Sequence, residues 1–226
     1  HWFDRYYPWA ETRLIVRGTR PRMAGALLAL ILPVLPVGAA GALLQDELRG
    51  AFWIVFAGAL LVLSFGPRDL AEEGDAYCSA ESSGATGDAR AAAALLIEHD
   101  AAQRWQQRAA AVEDAVLIQA NNRVFGVLLW FVVLGPAGAW AFRVSDLLRR
   151  AALARAQQSD GGTARDRAAA AMLQRIHGVL AWLPARLLAA SYLVAGTFEE
   201  ASAGWRAFRA DLPAHFFDAN DRLLVH

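Results

Sequence analysis

The sequence predicts an all-α, polytopic helical membrane protein, with residues 1–226 forming one helical membrane domain. Three observations carry that reading. Residues 23–44, 50–66, 125–142 and 176–196 form long apolar runs separated by charged stretches. Apolar residues make up 56% of the chain and the mean hydropathy is +0.27. Eight Trp and clustered charge complete a composition that suits lipid better than water.

Residues 1–22 mix Trp2, Phe3, Tyr6, Tyr7 and Trp9 with Arg5, Arg13, Arg17, Arg20 and Arg22. Rings anchor at the headgroup level while guanidiniums stay wet, so this segment is expected at the membrane interface. Residues 23–44 are 22 positions without a charge. At about 1.5 Å per residue they cover a hydrocarbon core of about 30 Å, with kinks expected at Pro33 and Pro36. A short acidic turn (QDELR) leads into residues 50–66, which return the chain as the second arm of a hairpin. Gly66 and Pro67 end that arm, and Arg68 and Asp69 follow at the membrane edge.

Residues 72–87 are small and polar and read as a loop. Residues 88–119, free of Gly and Pro, read as water-side helix, a cytoplasmic helical hairpin or pair with Leu96, Val112 and Val116 on its apolar face. The run 125–142 follows Asn121, Asn122 and Arg123, is interrupted by Gly135 and Pro136, and closes at Arg143 and Asp146. Residues 149–175 are Ala- and Arg-rich with a loop at 159–163, and residues 199–226 read as an amphipathic interfacial tail. The chain begins at His1 rather than Met, which fits a piece of a longer protein.

Arginine counts bear on topology. Five precede Met23, five lie in 67–124 and seven in 143–175. If all four runs cross, the richest loop falls on the outer side, against the positive-inside tendency. Either that loop folds as a unit outside, or residues 125–142 dip into the bilayer and return through the Gly135 and Pro136 break. Irregular backbone at that depth survives only inside protein or beside a water-filled cavity.

The residues singled out for ligand binding are Arg68, Asp69, Asn121, Asn122, Arg143, Asp146 and Arg186, which stand at the ends or in the middle of apolar runs. An Arg within a membrane segment costs about 2.5 kcal/mol or more on insertion scales, so Arg186 is expected to face a partner such as Asp69 or Asp146, a polar cavity, or the interface by snorkelling. Arg123 and Arg143 fit interfacial anchoring or ligand contact; Asn121 and Asn122 fit helix linking or ligand contact. Arginines beside carboxylates suit an anionic or phosphorylated small molecule, a cell-wall fragment or a nucleotide.

No Ser or Cys stands near a His and a carboxylate in the sequence, so no nucleophilic triad can be assembled. One cysteine, Cys78, and five scattered His give no metal-ligand spacing. With 22 basic and 22 acidic residues, a nucleic-acid partner is not expected. The expected partners are the lipid bilayer, an anionic ligand, and a second copy or a partner membrane or amidase protein.

The segments GPRDL (66–70), NNRVFGVLLWFVVLGPAGAWAFR (121–143) and WLPARL (182–187) resemble the AmpE family of bacterial inner-membrane proteins. That resemblance implies a non-enzymatic, multi-pass signalling protein of the cytoplasmic membrane that modulates β-lactamase induction or the response to cell-wall stress. AmpE is distantly related to the cobalamin-biosynthesis protein CbiB, of the CobD/CbiB family, which joins an aminopropanol arm to cobyric acid. Arg68, Asp69 and Leu70 match an RDL motif of CbiB-like enzymes, and Pro184, Ala185 and Arg186 match a PAR motif. The chain departs from them elsewhere. A VGRDT segment is missing, the EN..D pattern falls on Ile118, Gln119 and Asn122, and the Asn ahead of PAR falls on Ala181. The alternative implied is an adenosylcobinamide-phosphate synthase.

Overall fold

The computed structural model describes residues 2–17, 20–47, 51–66, 70–97, 108–157 and 163–195. They form eight α-helices: α1 (Trp2–Ala10), α2 (Met23–Glu47), α3 (Ala51–Phe65), α4 (Leu70–Ser82), α5 (Thr86–Leu96), α6 (Arg108–Ala120), α7 (Gly126–Gln157) and α8 (Ala164–Ala195). Two π-helical turns, Glu11–Ile15 and Asn121–Phe125, join them, with one antiparallel ladder of two residues per strand, Val16–Arg17 and Arg20–Pro21. The protein is all-α and membrane-embedded. Three stretches are long and apolar enough to cross a bilayer: Met23–Leu44, one beginning at Ala51, and Asp114–Gln157. The fourth apolar run, 176–196, lies mainly within α8, which is not among the three; His177 and Arg186 dilute it.

The chain divides into two compact units, residues 1–65 with 126–183, and residues 66–125 with 184–226. In the first, α2 and α3 are apolar all round. Leu28, Leu35 and Leu43 on α2, and Ile54, Val55 and Val62 on α3, are all exposed. In water that surface would be a large aggregation hazard; in lipid it costs nothing. The two helices pack where Gly41 leaves room for Phe56. Ser64, buried on α3, donates to the carbonyl of Leu60 one turn back and so exposes no polar atom.

Pro33 removes the N–H that would bond the carbonyl of Ala29. The Tyr6 hydroxyl of α1 donates to that carbonyl at 2.6 Å, so the freed carbonyl also fastens α1 to α2. Trp140 of α7 donates its indole N–H to the carbonyl of Pro33 at 3.1 Å and stacks on Trp2 at 5.8 Å. Below these contacts Ile15, Ala26 and Ala29 pack with Val144, Leu148 and Ala152 of α7 and with Ala169 and Leu173 of α8. The small residues let the helix backbones approach closely.

In α7, Gly135 has φ 65° and ψ −156°, outside helical geometry and in a region that only glycine enters readily. The helix bends sharply there. A second cluster joins Val127, Ala139 and Phe142 of α7 to Ala181 of α8 and Leu61 and Phe65 of α3.

In the second unit, residues 72–87 are not the loop expected from their Gly and Ser content. Most of them belong to α4, and only residues 83–85 turn, with Gly84 at φ 71°. Tyr77 explains the difference: it is buried against Ala89, Ala93 and Leu96 of α5 and Val112 and Ala115 of α6, so packing overrides weak local propensity. Glu72 and Glu73 stand in the first turn of α4, where acids complement the helix dipole. Thr163 caps α8 by a reciprocal arrangement: its N–H and hydroxyl donate to Asp166, whose own N–H donates back to the Thr163 hydroxyl. The expected tail at 199–226 lies outside the described residues.

Tyr6→Phe keeps the ring but takes from the Ala29 carbonyl the donor that replaces its lost helical bond. It should lower unfolding free energy by about 1–3 kcal/mol, the cost of a buried unsatisfied acceptor. Thermal unfolding in detergent checks this, with Tyr7→Phe as the comparison.

Candidate functional site

The first unit carries its charge on one face of α7. Asp146 is completely buried. Residues three before, three after and four after it share its face of the helix, and all three are Arg. Arg149 Nη2 donates to one carboxylate oxygen at 2.8 Å; Arg150 Nε, at 2.8 Å, and Arg143 Nη1, at 3.3 Å, approach the other. A buried carboxylate is tolerable only when paired in this way. Asp146 in turn holds the three guanidiniums on one face of the helix.

Ser145, adjacent and buried, donates its hydroxyl proton to the carbonyl of Phe142 at 2.6 Å. Its oxygen lies 3.0 Å from Nδ1 of buried His177 on α8. A hydroxyl has a single proton to donate, so with that proton on the Phe142 carbonyl the Ser145 oxygen is placed to accept from the Nδ1–H tautomer of His177. The contact links α7 to α8.

At the far end of α7, Arg155 approaches buried Glu11 at 3.2 Å. Burial raises the Glu11 carboxyl above the usual carboxylate range, and Arg155 offsets only part of that. Burial together with Glu11 also raises the Tyr7 hydroxyl.

In the second unit the π-helical turn buries Asn121, Asn122 and Arg123 together. Arg123 is held by Glu73 of α4 at 2.9 Å and by the Gln119 side-chain oxygen at 2.9 Å. Gln119 donates to the carbonyl of Leu96 at 3.3 Å, so one arginine ties α4, α5 and α6. Arg123 is thus a buried strut, neither an interfacial anchor nor an exposed ligand contact. Asn121 donates to Asn122 at 3.3 Å, and its own side-chain oxygen is buried without a hydrogen-bond partner among the described residues.

Of the residues singled out from sequence, Arg143 and Asp146 come together, as do Asn121 and Asn122. Arg186 is half-buried on α8. Arg68 and Asp69 lie outside the described residues. Sequence reasoning misses Arg149, Arg150, Glu73 and Glu11. The spacing in SDLLRR already places Arg149 and Arg150 over Asp146; Glu73 and Glu11 need the tertiary structure. Among the described residues no three His, Cys, Asp or Glu side chains gather to hold a metal.

Purified protein in detergent should show two effects. Asp146→Ala leaves three converging guanidiniums without their carboxylate and should cost about 3–5 kcal/mol of stability; Arg149→Gln should cost more than Arg143→Gln, whose bond is longer. Because the Glu11 carboxyl is raised, the folded state holds its proton more tightly than the unfolded chain. Its contribution is therefore full below the ordinary Glu range and is lost as pH rises through the folded value. Glu11→Gln should flatten that slope and raise the melting temperature near neutral pH, as pH-resolved melting curves would show.

Comparison with known proteins assigns the family. A family model described as CobD/Cbib protein matches residues 1–220. The cobalamin biosynthesis protein CobD of Chromobacterium violaceum is 31% identical over 217 residues, covering 93% of this chain and 63% of that protein. The protein of the same name from Stutzerimonas stutzeri is 30% identical over 191 residues, covering 84% of this chain and 59% of its own length. The chain thus spans about three fifths of these relatives. No solved structure matches it. These matches overturn the expected AmpE membership, and with it the reading as a signalling protein of β-lactamase regulation. A correspondence along nearly the whole sequence outweighs three short segments: the chain belongs to the CobD/CbiB family.

Proposed function

We propose that this protein works in cobamide biosynthesis in the bacterial inner membrane, at the step that joins an aminopropanol arm to cobyric acid. The family match over residues 1–220 is the observation that supports this most strongly. Two relatives that carry the name cobalamin biosynthesis protein CobD add to it. In this reading the arm arrives phosphorylated, and its phosphate docks on Arg143, Arg149 and Arg150. Asp146 keeps them aligned without competing in shape, because a tetrahedral phosphate can accept from several guanidiniums at once.

The CbiB-like motifs retained here, Arg68, Asp69 and Leu70 with Pro184, Ala185 and Arg186, fit the same assignment. Ile118, Gln119 and Asn122 stand where acids and an amide are expected, and Gln119 is committed to Arg123 and the Leu96 carbonyl. In this reading these positions serve structure. Binding and orientation of the phosphorylated arm are then supplied by the arginine face.

The test is complementation. In a bacterium lacking its own synthase and fed cobyric acid, the chain should restore cobamide-dependent growth. The Arg143→Gln, Arg149→Gln double variant, present at equal level in the membrane, should lower product by about tenfold or more, the effect of roughly 1.4 kcal/mol. Absence of growth with the chain demonstrably in the membrane fraction would overturn the proposal.

A further inference from the structure

Length and apolarity alone place Asp114–Gln157 among the stretches able to cross a bilayer. Its geometry says otherwise for the part after Gly126. In an unbroken helix Trp130 and Gly138, eight residues apart, would be separated by about 12 Å. Instead a Cβ added at Gly138 would collide with the Trp130 carbonyl oxygen and lie 2.6 Å from Leu134 Cβ. Val127 and Phe142, fifteen residues apart, would be separated by about 22 Å, yet they share one buried cluster. The reversal occurs at Gly135, whose positive φ permits it.

The packing partners give the direction of each limb. Near its start, Val127 and Trp130 pack with Leu61 and Phe65 at the end of α3. At the turn, Ala137 lies 3.9 Å from where a Cβ on Gly38 would stand. On the way back, Trp140 bonds the Pro33 carbonyl, and Val144 and Leu148 reach Ala26 and Ala29 near the start of α2. Gly38 is fifteen residues from Met23, so the turn sits about 22 Å along α2 in a core about 30 Å thick. Val132, Val133 and Leu134 at the turn are 81%, 54% and 60% exposed, a surface fit only for hydrocarbon.

We infer that residues 126–142 form a re-entrant hairpin, which dips about two thirds of the way into the bilayer and returns Arg143, Asp146, Arg149 and Arg150 to the face where α2 begins. The five arginines before Met23 and the four from Arg143 to Arg155 then share one side, which the positive-inside tendency makes the cytoplasm. One side of the irregular turn packs on α2, where Ala137 faces Gly38 and the adjoining Pro136 and Gly138 are buried, and its other side presents only the apolar side chains of Val132, Val133 and Leu134. The hairpin is independent of the cobamide reading, since it rests on backbone geometry and exposure. Its consequence is that an anion meets the arginine face from the cytoplasm.

Sidedness labelling decides it. With Cys78→Ser as background, Thr12→Cys and Gln157→Cys, both at exposed positions, are treated with a membrane-impermeant maleimide in intact cells and in inverted vesicles. Both should react in inverted vesicles and be protected in intact cells. Reaction of the two from opposite faces would overturn the hairpin and establish a crossing helix. As an independent measurement, a spin label at Val133→Cys in reconstituted protein should be relaxed by oxygen and shielded from an aqueous nickel chelate. Ready access of the chelate would also overturn the inference.

Discussion

A bilayer interior offers no water to a backbone group that has lost its partner, and this constraint shapes the first unit of the protein more than any single contact. Pro33 deprives Ala29 of a bond, and Tyr6 supplies it. The carbonyls of Pro33 and Leu180 receive the indole hydrogens of Trp140 and Trp130. Each of these aromatics is amphipathic, with an apolar body for packing and one polar atom to satisfy a carbonyl. The same residues that shield the backbone thus set which helices are neighbours.

Charge obeys the same constraint. Asp146 is buried completely and survives because α7 itself brings three guanidiniums to it. Arg123 is buried in the second unit and survives because Glu73 and Gln119 hold it. The two clusters differ in kind. Around Asp146 three guanidiniums from its own helix share one carboxylate. Around Arg123 one cation meets one acid and one amide, an arrangement suited to tying helices together.

The apolar helices are legible in the sequence because nothing but lipid explains uncharged runs such as residues 23–44. The Gly135 and Pro136 step is legible as a break, though the residues alone admit both a kinked crossing and a return. The arginine face is half legible: Arg143 and Asp146 stand at the end of an apolar run, whereas Arg149 and Arg150 belong to a stretch whose composition says only Ala- and Arg-rich helix. The link from Ser145 to His177 joins positions 32 residues apart and depends on how α7 lies on α8, which no local pattern encodes. In α4, Gly74 and the serines argue for a loop, and burial of Tyr77 decides for a helix. Short motifs such as RDL and PAR fit either of two related families, and only correspondence along 1–220 separates them.

Gly38 and Gly41 give α2 two very different surfaces. A methyl at Gly38 would touch Ala137 at 3.9 Å, and one at Gly41 would touch Phe56 at 3.8 Å, both ordinary van der Waals distances, so alanine fits and a longer side chain has to compete with that neighbour for space. Leu28 and Leu35 on the same helix point outward and can exchange with any other aliphatic residue. Over evolutionary time one helix should therefore record two rates of drift, a slow one along its glycine seam and a fast one along its greasy exterior.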